Sequence, residues 1–361
     1  MIIQIEPWID EQELAELKRV ISSTFVVEHD LTREFEDRTR ALTGAKHAIA
    51  IMNGTAALFC CLKALNIGPG DEVIVPNMTF IATANAVVMA GAKPVFCEVL
   101  ADTFCIDSAA AAGLINARTK AIMPVHLYGQ SADMDALGDL VRRRGLYLIE
   151  DAAQGVGVHF NGRHVGTFGA LGILSYYGNK TVTCGEGGMI LTNDDELAKR
   201  CYRLKNHGRD GKGSFVHEHI GFNFSFTEMQ AAVGIAQMKK LPAIVAKKKL
   251  IHDRYLDGLQ GLNRFRPAYI DPRCEPVFWF TSYISDDANT VAAHLAENGV
   301  QTRRFFYPLH LQPCYRDLSF ERSGFAISEQ IFDEGISLPS SYHLSELDQR
   351  RVIELVKKFY A

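Results

Sequence analysis

The sequence predicts an α/β protein in which a large domain with a mostly parallel mixed sheet precedes a smaller α+β domain. At 361 residues the chain is longer than the length at which a single hydrophobic core keeps growing. From residue 46 to 192, short apolar runs alternate with stretches of helix length, which is the pattern of strands joined by crossover helices. This pattern changes near Leu241–Pro242. We therefore expect a large domain over residues 1–242 and a small C-terminal domain over residues 243–361.

The elements of the large domain follow from this alternation. Several of the apolar runs are hydrophobic on both faces, as strands covered by helices on both sides must be. Strands are predicted at 47–52, 72–76, 94–99, 121–126, 146–150, 173–177 and 189–192, and helices at 55–66, 80–90, 133–144 and 194–206.

The elements of the small domain are fewer. Its last helix is predicted to begin at a capping box formed by Ser345 and Asp348, which gives the first free amides of the helix an acceptor. Before it, the pattern predicts a long helix at about 243–260, a strand at 277–284, a helix at 287–298 and a strand near 301–306.

Composition excludes several classes of function. The net charge is −4 and no block of Lys or Arg is present, so neither nucleic acid nor a membrane surface is an expected partner. No run approaches the roughly 18 apolar residues that a membrane span needs, and the N-terminal segment has no features of a leader. The eight cysteines form no C-x-x-C pair and have no companion His cluster, which predicts reduced thiols, no metal site and a cytoplasmic protein.

Lys180 is the first candidate for chemistry. It follows an apolar strand and precedes a glycine-rich turn in the stretch SYYGNKTVTCGEGG, so its side chain is expected to project from a strand end into a cleft. Read alone, the segment fits a surface lysine in a loop equally well. A lysine in a cleft can form an imine with a carbonyl cofactor such as pyridoxal 5'-phosphate (PLP).

Asp151 ends the predicted strand in LYLIEDAAQ, and open α/β sheets bind ligands at the carboxyl ends of their strands. Its carboxylate is suited to pair with the ring nitrogen of PLP and to keep that nitrogen protonated. A helix N-cap or a structural ion pair is the alternative. In a regular strand, Glu150 points to the opposite face. Gln154, three residues further on, is placed to donate to the phenolic oxygen of PLP.

Gly54, Thr55 and Ala56 join a predicted strand to a predicted helix, where free amides and the Thr55 hydroxyl form an anion site. Strand–Gly–helix junctions are common, so this signal alone is weak. Ser175 adds a hydroxyl for the same phosphate. Phe80 is the candidate ring to stack on PLP, although an aromatic residue at a helix start is more often part of the core. Together these residues supply the lysine, acid, anion site and stacking ring that a PLP enzyme needs.

Six stretches carry a family resemblance, namely FEDRTRALTGAKHAIAIMNGTAAL, GPGDEVIVPNMTFIATANAV, TKAIMPVHLYGQSADMD, LIEDAAQGVG, SYYGNKTVTCGEGGMILTNDDELA and GFNFSFTEMQAAVGIAQ. They cover nearly the whole large domain. The resemblance continues more weakly through FYPLHLQPCY and SLPSSYHLSE. In these stretches the chain resembles the sugar aminotransferases of the DegT/DnrJ/EryC1/StrS family. That resemblance implies the aspartate-aminotransferase-like fold of type I PLP enzymes.

The resemblance implies a role for each candidate. Lys180 falls at the position of the Schiff-base lysine that also transfers protons, where the related sugar dehydratases have a histidine. Asp151 falls at the partner of the ring nitrogen, Gln154 at the contact to the phenolic oxygen and Phe80 at the stacking position. A homodimer with shared active sites is also implied, in which Asn223 reaches the phosphate of the neighbouring subunit's cofactor. The phosphate contacts within one chain are implied to be Gly54, Thr55, Ala56 and Ser175.

The substrate is implied by a narrower resemblance. The stretch GNKTVTCGEGGM is most similar to that of the GDP-perosamine synthases in this family. This similarity implies transfer of an amino group from glutamate to the C4 ketone of GDP-4-keto-6-deoxymannose, for cell-surface polysaccharide or a related glycan. UDP- or dTDP-linked 4-keto-sugars and a cyclitol-type ketone are alternatives. A non-catalytic PLP-fold protein is an alternative of another class, and the complete set of cofactor candidates argues against it.

Two stretches depart from the family pattern. Ser225, in GFNFSFT, stands where the family has an arginine, so a bidentate anion contact is absent. Glu28, His29 and Asp30 occupy a stretch in which relatives carry a glycine, and this stretch often borders the sugar-nucleotide pocket. Both departures bear on the geometry of the donor or the substrate.

The small domain contributes two candidate substrate contacts, Tyr307 and His310, in the stretch FFYPLHLQPCY. A packed loop with a fully bonded histidine explains the same stretch equally well.

Overall fold

The structure is a computed structural model that describes residues 1–209, 215–316 and 324–361. Its strands are β1 (His47–Ile51), β2 (Glu72–Pro76), β3 (Lys93–Cys97), β4 (Thr119–Ile122), β5 (Tyr147–Asp151), β6 (His159–Phe160), β7 (Arg163–His164), β8 (Leu171–Ser175), β9 (Gly188–Thr192), β10 (Arg266–Pro267), β11 (Cys274–Glu275), β12 (Thr281–Ile284), β13 (Arg303–Arg304) and β14 (Gly335–Leu338).

The α-helices lie between these strands and at the two ends of the chain. They are α1 (Glu11–Ser23), α2 (Asp30–Thr43), α3 (Gly54–Ala64), α4 (Ala82–Met89), α5 (Ser108–Leu114), α6 (Met134–Arg144), α7 (Asp195–Lys205), α8 (Glu228–Gly258), α9 (Ala288–Glu297), α10 (Ala326–Glu334) and α11 (Glu346–Tyr360). Short 3-10 turns occur at Leu309–Leu311 and Pro313–Tyr315.

The large sheet has seven strands in the order β1-β9-β8-β5-β4-β2-β3. Strand β9 is antiparallel to both of its neighbours, and the remaining pairs are parallel. The prediction of a mostly parallel mixed sheet is therefore confirmed. Its strands read as continuous apolar runs because both faces are covered.

Strand β2 shows how the two faces are filled. Its residues Val73 and Val75 pack into a core with α3 and α4, whereas Ile74 packs into a second core on the other side of the sheet. All three side chains are fully buried. Successive residues of a strand point to opposite faces, so one short apolar run supplies both cores.

The predicted helix at about 243–260 begins earlier in the structure. Helix α8 starts at a capping box of Thr227 and Gln230 and runs for 31 residues, with Pro242 inside it. Buried residues along its length, such as Ala231 and Ile251, belong to the cores of the large and the small domain respectively. Packing at both ends keeps the helix continuous through a residue that removes one backbone donor. The domain boundary at 242 stays a prediction and falls within this helix.

Two predicted strands are shorter in the structure. Of the run 277–284, only Thr281–Ile284 joins a sheet. The Val277 amide instead donates to the Gly129 carbonyl at 3.0 Å, and the Trp279 amide donates to the Val277 carbonyl at 2.7 Å. These bonds turn the first half of the run toward the large sheet. The predicted strand near 301–306 is reduced to Arg303–Arg304.

The second sheet is antiparallel, with the order β10-β12-β14-β13. Helices α9 and α11 contribute Val291, Leu295 and Val352 to the core beside it. The N-terminal residue Ile2 belongs to the same core and bridges to Val300. Within the described ranges, no helix combines the length and the apolar content that a membrane crossing requires.

Candidate active site

A cleft of about 350 Å³ lies at the carboxyl ends of β5 and β8, beside the first turn of α3. Its size is at the lower end of the range for small-molecule sites, and carboxyl strand ends are where open α/β sheets bind ligands. The cleft brings together seven residues that the sequence singled out, namely Gly54, Thr55, Phe80, Asp151, Gln154, Ser175 and Lys180.

Lys180 lies at the base of the cleft on the turn that follows β8. Its amide donates to the Tyr177 carbonyl at 2.9 Å, which closes the turn and directs the side chain inward. Burial lowers the pKa of Lys180 to about 8, while the negative charge of Asp151 opposes this effect and the positive charge of Arg303 adds to it. An amine with such a pKa exists in both protonation states near neutral pH, which suits a group that moves protons.

Asp151 ends β5 with its carboxylate held in a fixed position. The Thr83 hydroxyl donates to Oδ2 at 2.8 Å, and the Ala153 amide donates to Oδ1 at 3.1 Å. Burial raises the pKa of Asp151, and these two hydrogen bonds act against the increase. Among the described residues, no cation lies within ion-pair distance of this carboxylate. A positively charged ring nitrogen would supply the missing partner.

Glu150 confirms the alternation along β5. It is fully buried on the face opposite to the cleft, where it accepts hydrogen bonds from the Gly166 and Gly169 amides at 2.6 and 2.7 Å. His126 lies 3.1 Å from the same carboxylate. The neighbouring acids therefore differ in role because the strand places them on opposite faces.

Gln154 lines the cleft with its carboxamide oriented by the main chain. Its Oε1 accepts a hydrogen bond from the Tyr128 amide at 2.7 Å. The carboxamide NH₂ group has no partner among the described residues, and the side chain is buried. A donor without a partner at a cleft wall is suited to an oxygen of a bound group.

The turn from β1 into α3 leaves backbone amides for an anion. Asn53 caps the helix by accepting from the Ala56 amide at 2.9 Å, so that amide is already bonded. A Cβ at Gly54 would lie 3.2 Å from Ser175 Cβ, which shows how closely the turn approaches β8. The cleft is lined here by Gly54, Thr55 and Ser175. A helix start with free amides and two hydroxyls is a site for a phosphate.

Phe80 stands at the mouth of the cleft. Phe80 is 58% exposed although it adjoins a buried core. The centroid of the Phe306 ring lies 6.1 Å away on the small-domain side. The exposed face of Phe80 is therefore available to cover a flat ring in the cleft.

The site also contains residues that the sequence did not single out, and four of them bear on its chemistry. Thr83 orients Asp151 from α4, and Glu186, Trp279 and Arg303 line the cleft. Trp279 and Arg303 lie in runs whose pattern predicts only strands. About a hundred residues separate them from Lys180 in the chain, so no local motif connects them with it. Glu186 belongs to the glycine-rich turn after Lys180, and it is the one of the four that the motif itself contained.

Four further candidates, Ala56, Asn223, Tyr307 and His310, do not line the cleft. Asn223 is exposed, and its Oδ1 lies 3.5 Å from the Ser225 amide. Tyr307 is 41% exposed and packs edge-on against Phe332. His310 is buried, with Asn77 at 2.9 Å from Nδ1 and Glu329 at 3.1 Å from Nε2. Because both ring nitrogens have partners within the chain, the structure favours the packed-loop interpretation of His310.

The stretch Glu28–Asp30, which differs from the family pattern, lies at the start of α2 and is held there by charged groups. The buried ammonium of Lys205 donates to Glu28 at 2.7 Å, and Arg33 also pairs with Glu28. The His29 amide donates to Glu228 at 2.8 Å. Glu28 therefore anchors this stretch through a local ion-pair network.

The residues of the cleft fit PLP by the chemistry of their donors. They offer a lysine amine, an unpaired buried carboxylate, a free carboxamide donor and a helix start with hydroxyls on one wall. These groups match the aldehyde, ring nitrogen, phenolic oxygen and phosphate of that cofactor in number and kind.

Comparison with known proteins decides the family. The model of the DegT/DnrJ/EryC1/StrS aminotransferase family matches residues 7–357. The chain belongs to this family. It is a PLP-dependent sugar aminotransferase with the type I fold, and the predictions of family, fold, cofactor and enzyme class are confirmed.

Individual members of the family give the degree of similarity. The GDP-perosamine synthase of Vibrio cholerae is 36% identical over 369 residues, with 100% of this chain and 99% of the relative covered. The dTDP-3-amino-3,4,6-trideoxy-alpha-D-glucose transaminase of Streptomyces venezuelae is 36% identical, with 90% and 86% covered. The crystal structure of S. venezuelae DesV in complex with a ketimine intermediate superimposes with a TM-score of 0.93 at 34% identity, with 98% of each chain covered.

Proposed function

We propose that this aminotransferase moves the amino group of glutamate to the C4 ketone of a nucleotide-linked 4-keto-6-deoxyhexose, with GDP-4-keto-6-deoxymannose as the favoured substrate and GDP-perosamine as its product. One observation carries the chemical part of the proposal. The lysine amine of Lys180 and the buried carboxylate of Asp151 line one cleft, which also has an anion site at its wall. The similarity to the V. cholerae synthase supports the choice of substrate.

In this proposal Lys180 has two duties. Its Nζ would attach the cofactor, and after release the same nitrogen would remove the proton from the carbon that carries the amino group of glutamate and would later deliver a proton to the former ketone carbon of the sugar. The pKa of about 8 leaves a useful fraction of the amine unprotonated near neutral pH. PLP, when bound, supplies a ring that withdraws electrons from the substrate.

The other cleft residues bind and orient the cofactor. Asp151 keeps a proton on the ring nitrogen, and Thr83 fixes the carboxylate in the position required. Gln154 donates its free NH₂ group to the phenolic oxygen, and Phe80 covers the exposed ring face. The phosphate is held by the amides of Gly54 and Thr55 together with nearby hydroxyls. The Ala56 amide already donates to Asn53 Oδ1, so this proposal gives Ala56 no hydrogen bond to the phosphate.

A second nucleotide class is supported by a separate observation. The dTDP-sugar transaminase of S. venezuelae matches at the same 36% identity as the GDP-perosamine synthase of V. cholerae. A dTDP-linked keto-sugar is therefore the second candidate substrate. UDP-linked sugars and a cyclitol-type ketone belong in the same comparison.

The experiment has two arms. Borohydride reduction followed by peptide mapping locates the attachment of PLP, and we expect the reduced adduct on Lys180. The purified protein is then incubated with glutamate and GDP-, UDP- or dTDP-linked 4-keto-6-deoxyhexoses or a cyclitol ketone, and 2-oxoglutarate is measured. We expect the highest kcat/KM with the GDP sugar. Absence of an adduct on Lys180 contradicts the site, whereas a preference for dTDP contradicts only the nucleotide.

We also propose a cytoplasmic homodimer with shared active sites. Support comes from an exposed apolar surface on the segment between α1 and α2, where Phe25, Val26 and Val27 are 56%, 41% and 69% exposed. Val27 bridges to Thr227, so this surface adjoins the stretch that contains Asn223. All eight cysteines are free thiols, as in a reducing compartment.

Subunit mixing tests the shared site. Lys180→Ala and Asn223→Ala chains are unfolded together, refolded and assayed. If Asn223 acts in the partner's site, half of the mixed dimers' sites are intact, and about a quarter of the wild-type activity returns. No gain over the separate variants would place Asn223 in its own site or outside any site. Light scattering of the wild type measures the dimer directly.

A further inference from the structure

The indole of Trp279 lies against the nitrogen of Lys180 at the base of the cleft. The ring is 3% exposed, and its centroid is 4.0 Å from Lys180 Nζ. At this distance an ammonium group is attracted to the electron-rich face of an indole. Among the described residues, Lys180 Nζ has no hydrogen bond and no ion pair, so the ring is its nearest favourable contact.

Trp279 also holds the backbone that carries the lysine. Its Nε1–H donates to the Asn179 carbonyl at 2.7 Å, and Asn179 immediately precedes Lys180. The same residue therefore touches both ends of the lysine, one through the edge of the ring and the other through its face. A side chain that makes two such contacts restricts where the amine can lie.

The position of Trp279 is itself fixed from three sides. Its carbonyl accepts from the buried ammonium of Lys248 at 3.1 Å, and that ammonium also donates to the Ser340 carbonyl at 3.3 Å. The adjacent ring of Phe280 stacks on the indole with centroids 3.8 Å apart. The Trp279 amide is bonded to the Val277 carbonyl. The indole is therefore a rigid surface rather than a mobile lid.

We propose that Trp279 is the positioning residue for the free side chain of Lys180: its face holds the ammonium whenever Nζ is not attached to the cofactor, and its Nε1–H fixes the turn from which the lysine projects. This inference rests on the proposed attachment of PLP to Lys180. It assigns Trp279 no chemical step, since the indole neither gains nor loses a proton.

Several charged groups near Lys180 affect its pKa together with the indole of Trp279. Asp151 at the end of β5 favours the ammonium, Arg303 on β13 opposes it, and Glu186 from the following turn lines the same cleft. Burial favours the neutral amine and lowers the pKa of Lys180. The face of Trp279 stabilises only the ammonium, so its removal is expected to lower that pKa further.

The first test measures this titration in protein freed of PLP. Trace acetylation at a series of pH values, read by peptide mass spectrometry, gives the midpoint for Lys180. We expect Trp279→Leu to lower the midpoint by about half a pH unit. Trp279→Phe, which keeps a ring but no Nε1–H, is expected to retain most of the wild-type value. An unchanged or raised midpoint in Trp279→Leu overturns the proposal.

The second test leaves Trp279 intact, so it does not depend on how well that variant folds. The chain has two tryptophans, and Trp8→Phe makes Trp279 the sole source of indole emission. Emission of this protein without PLP is expected to change with a midpoint near pH 8, where Lys180 loses its proton. Lys180→Met should abolish the step. The protein also carries Lys248→Met, because burial lowers the pKa of Lys248 to about 7 and its side chain donates to the Trp279 carbonyl. A step near pH 8 that survives in Lys180→Met, or the absence of a step near pH 8, overturns the proposal.

Two controls separate the outcomes. Trp8→Leu removes the other indole, which carries Lys240 at 4.7 Å, and it should leave the Lys180 midpoint unchanged. Borohydride mapping of Trp279→Phe should still label Lys180. If wild-type Lys180 is not labelled, the proposed function fails, whereas the emission titration still reports whether the lysine rests on the indole.

Discussion

Two lysine–tryptophan pairs in this chain have opposite surroundings. Lys240 on α8 lies 4.7 Å from the Trp8 ring, and its Nζ is 2.7 Å from Glu13 and 2.8 Å from Asp10. Lys180 lies 4.0 Å from the Trp279 ring and has no carboxylate within ion-pair distance among the described residues. Both ammonium groups contact an indole, but only that of Lys240 is also paired with carboxylates.

The difference separates a structural lysine from a reactive one. Two carboxylates hold the charge of Lys240 in place, and the pair ties α1 to α8. Removing this ammonium would leave two carboxylates without their cation. Lys180 receives the weaker attraction of an aromatic face and of the more distant Asp151 carboxylate, and burial lowers its pKa to about 8. It can therefore lose a proton and become a nucleophile near neutral pH.

The largest expected effect comes from removing the reactive lysine. Lys180→Ala should lower kcat by about 10³-fold or more, because both the attachment point and the proton carrier are lost. Glutamate-dependent formation of 2-oxoglutarate measures this loss. The free energy of unfolding should change little. A variant that keeps more than a tenth of the wild-type kcat would place the chemistry elsewhere.

The matching change in the other pair should affect stability instead. Lys240→Met leaves the 2%-exposed Glu13 without its cation, which is expected to lower the free energy of unfolding by about 3 kcal/mol. Urea denaturation followed by circular dichroism checks this value. At temperatures where the variant stays folded, kcat should remain near that of the wild type. A loss of kcat without a loss of stability would contradict the purely structural role of Lys240.

Lys248, which supports Trp279, gives a dependence on pH. Burial lowers its pKa to about 7 from an ordinary value of 10.5. The unfolded chain therefore binds this proton more tightly than the folded chain between these values, and the resulting penalty is greatest below pH 7 and fades as the pH rises. The stability of the wild type relative to Lys248→Met should increase by about 2 kcal/mol from pH 7 to 9.

Denaturation of both proteins at pH 7, 8 and 9 provides the measurement. A flat difference between them would mean that Lys248 keeps its proton throughout the range. Because Lys248→Met also leaves the Trp279 carbonyl unpaired, the difference at a single pH contains both effects. Only the slope with pH isolates the titration.

The smallest expected effect tests the cleft without touching either lysine. In Gly54→Ala the new Cβ would lie 3.2 Å from Ser175 Cβ, so the wall that binds phosphate must shift. Affinity for PLP should fall by about tenfold, with the adduct still on Lys180. Gly138→Ala on α6, where nothing lies within 4 Å of the new Cβ, is the matched control. Equal affinities of the two variants for PLP would show that the phosphate does not bind beside Gly54.

The sequence determined the fold class, the family and a local arrangement around each strand end. Alternation of apolar runs identified the sheet, and the two-residue period of β5 placed Asp151 and Glu150 on opposite faces. These features are readable because strand periodicity and motif order are local properties of the chain. The site roles assigned to individual residues stay predictions until the variants are measured.

Tertiary structure decided what surrounds those residues. The run 277–284 has the composition of a strand, yet its bond to the Gly129 carbonyl turns Trp279 away from the sheet and onto Lys180. Helix α8 continues through Pro242 because both cores bury its faces. The sequence by itself predicted Lys180 and Asp151, because the end of a strand can be recognised from the local pattern of apolar residues. Only the packing of distant segments decided that both lysines meet an indole and that one of them also meets two carboxylates, because burial and contact arise from the fold as a whole.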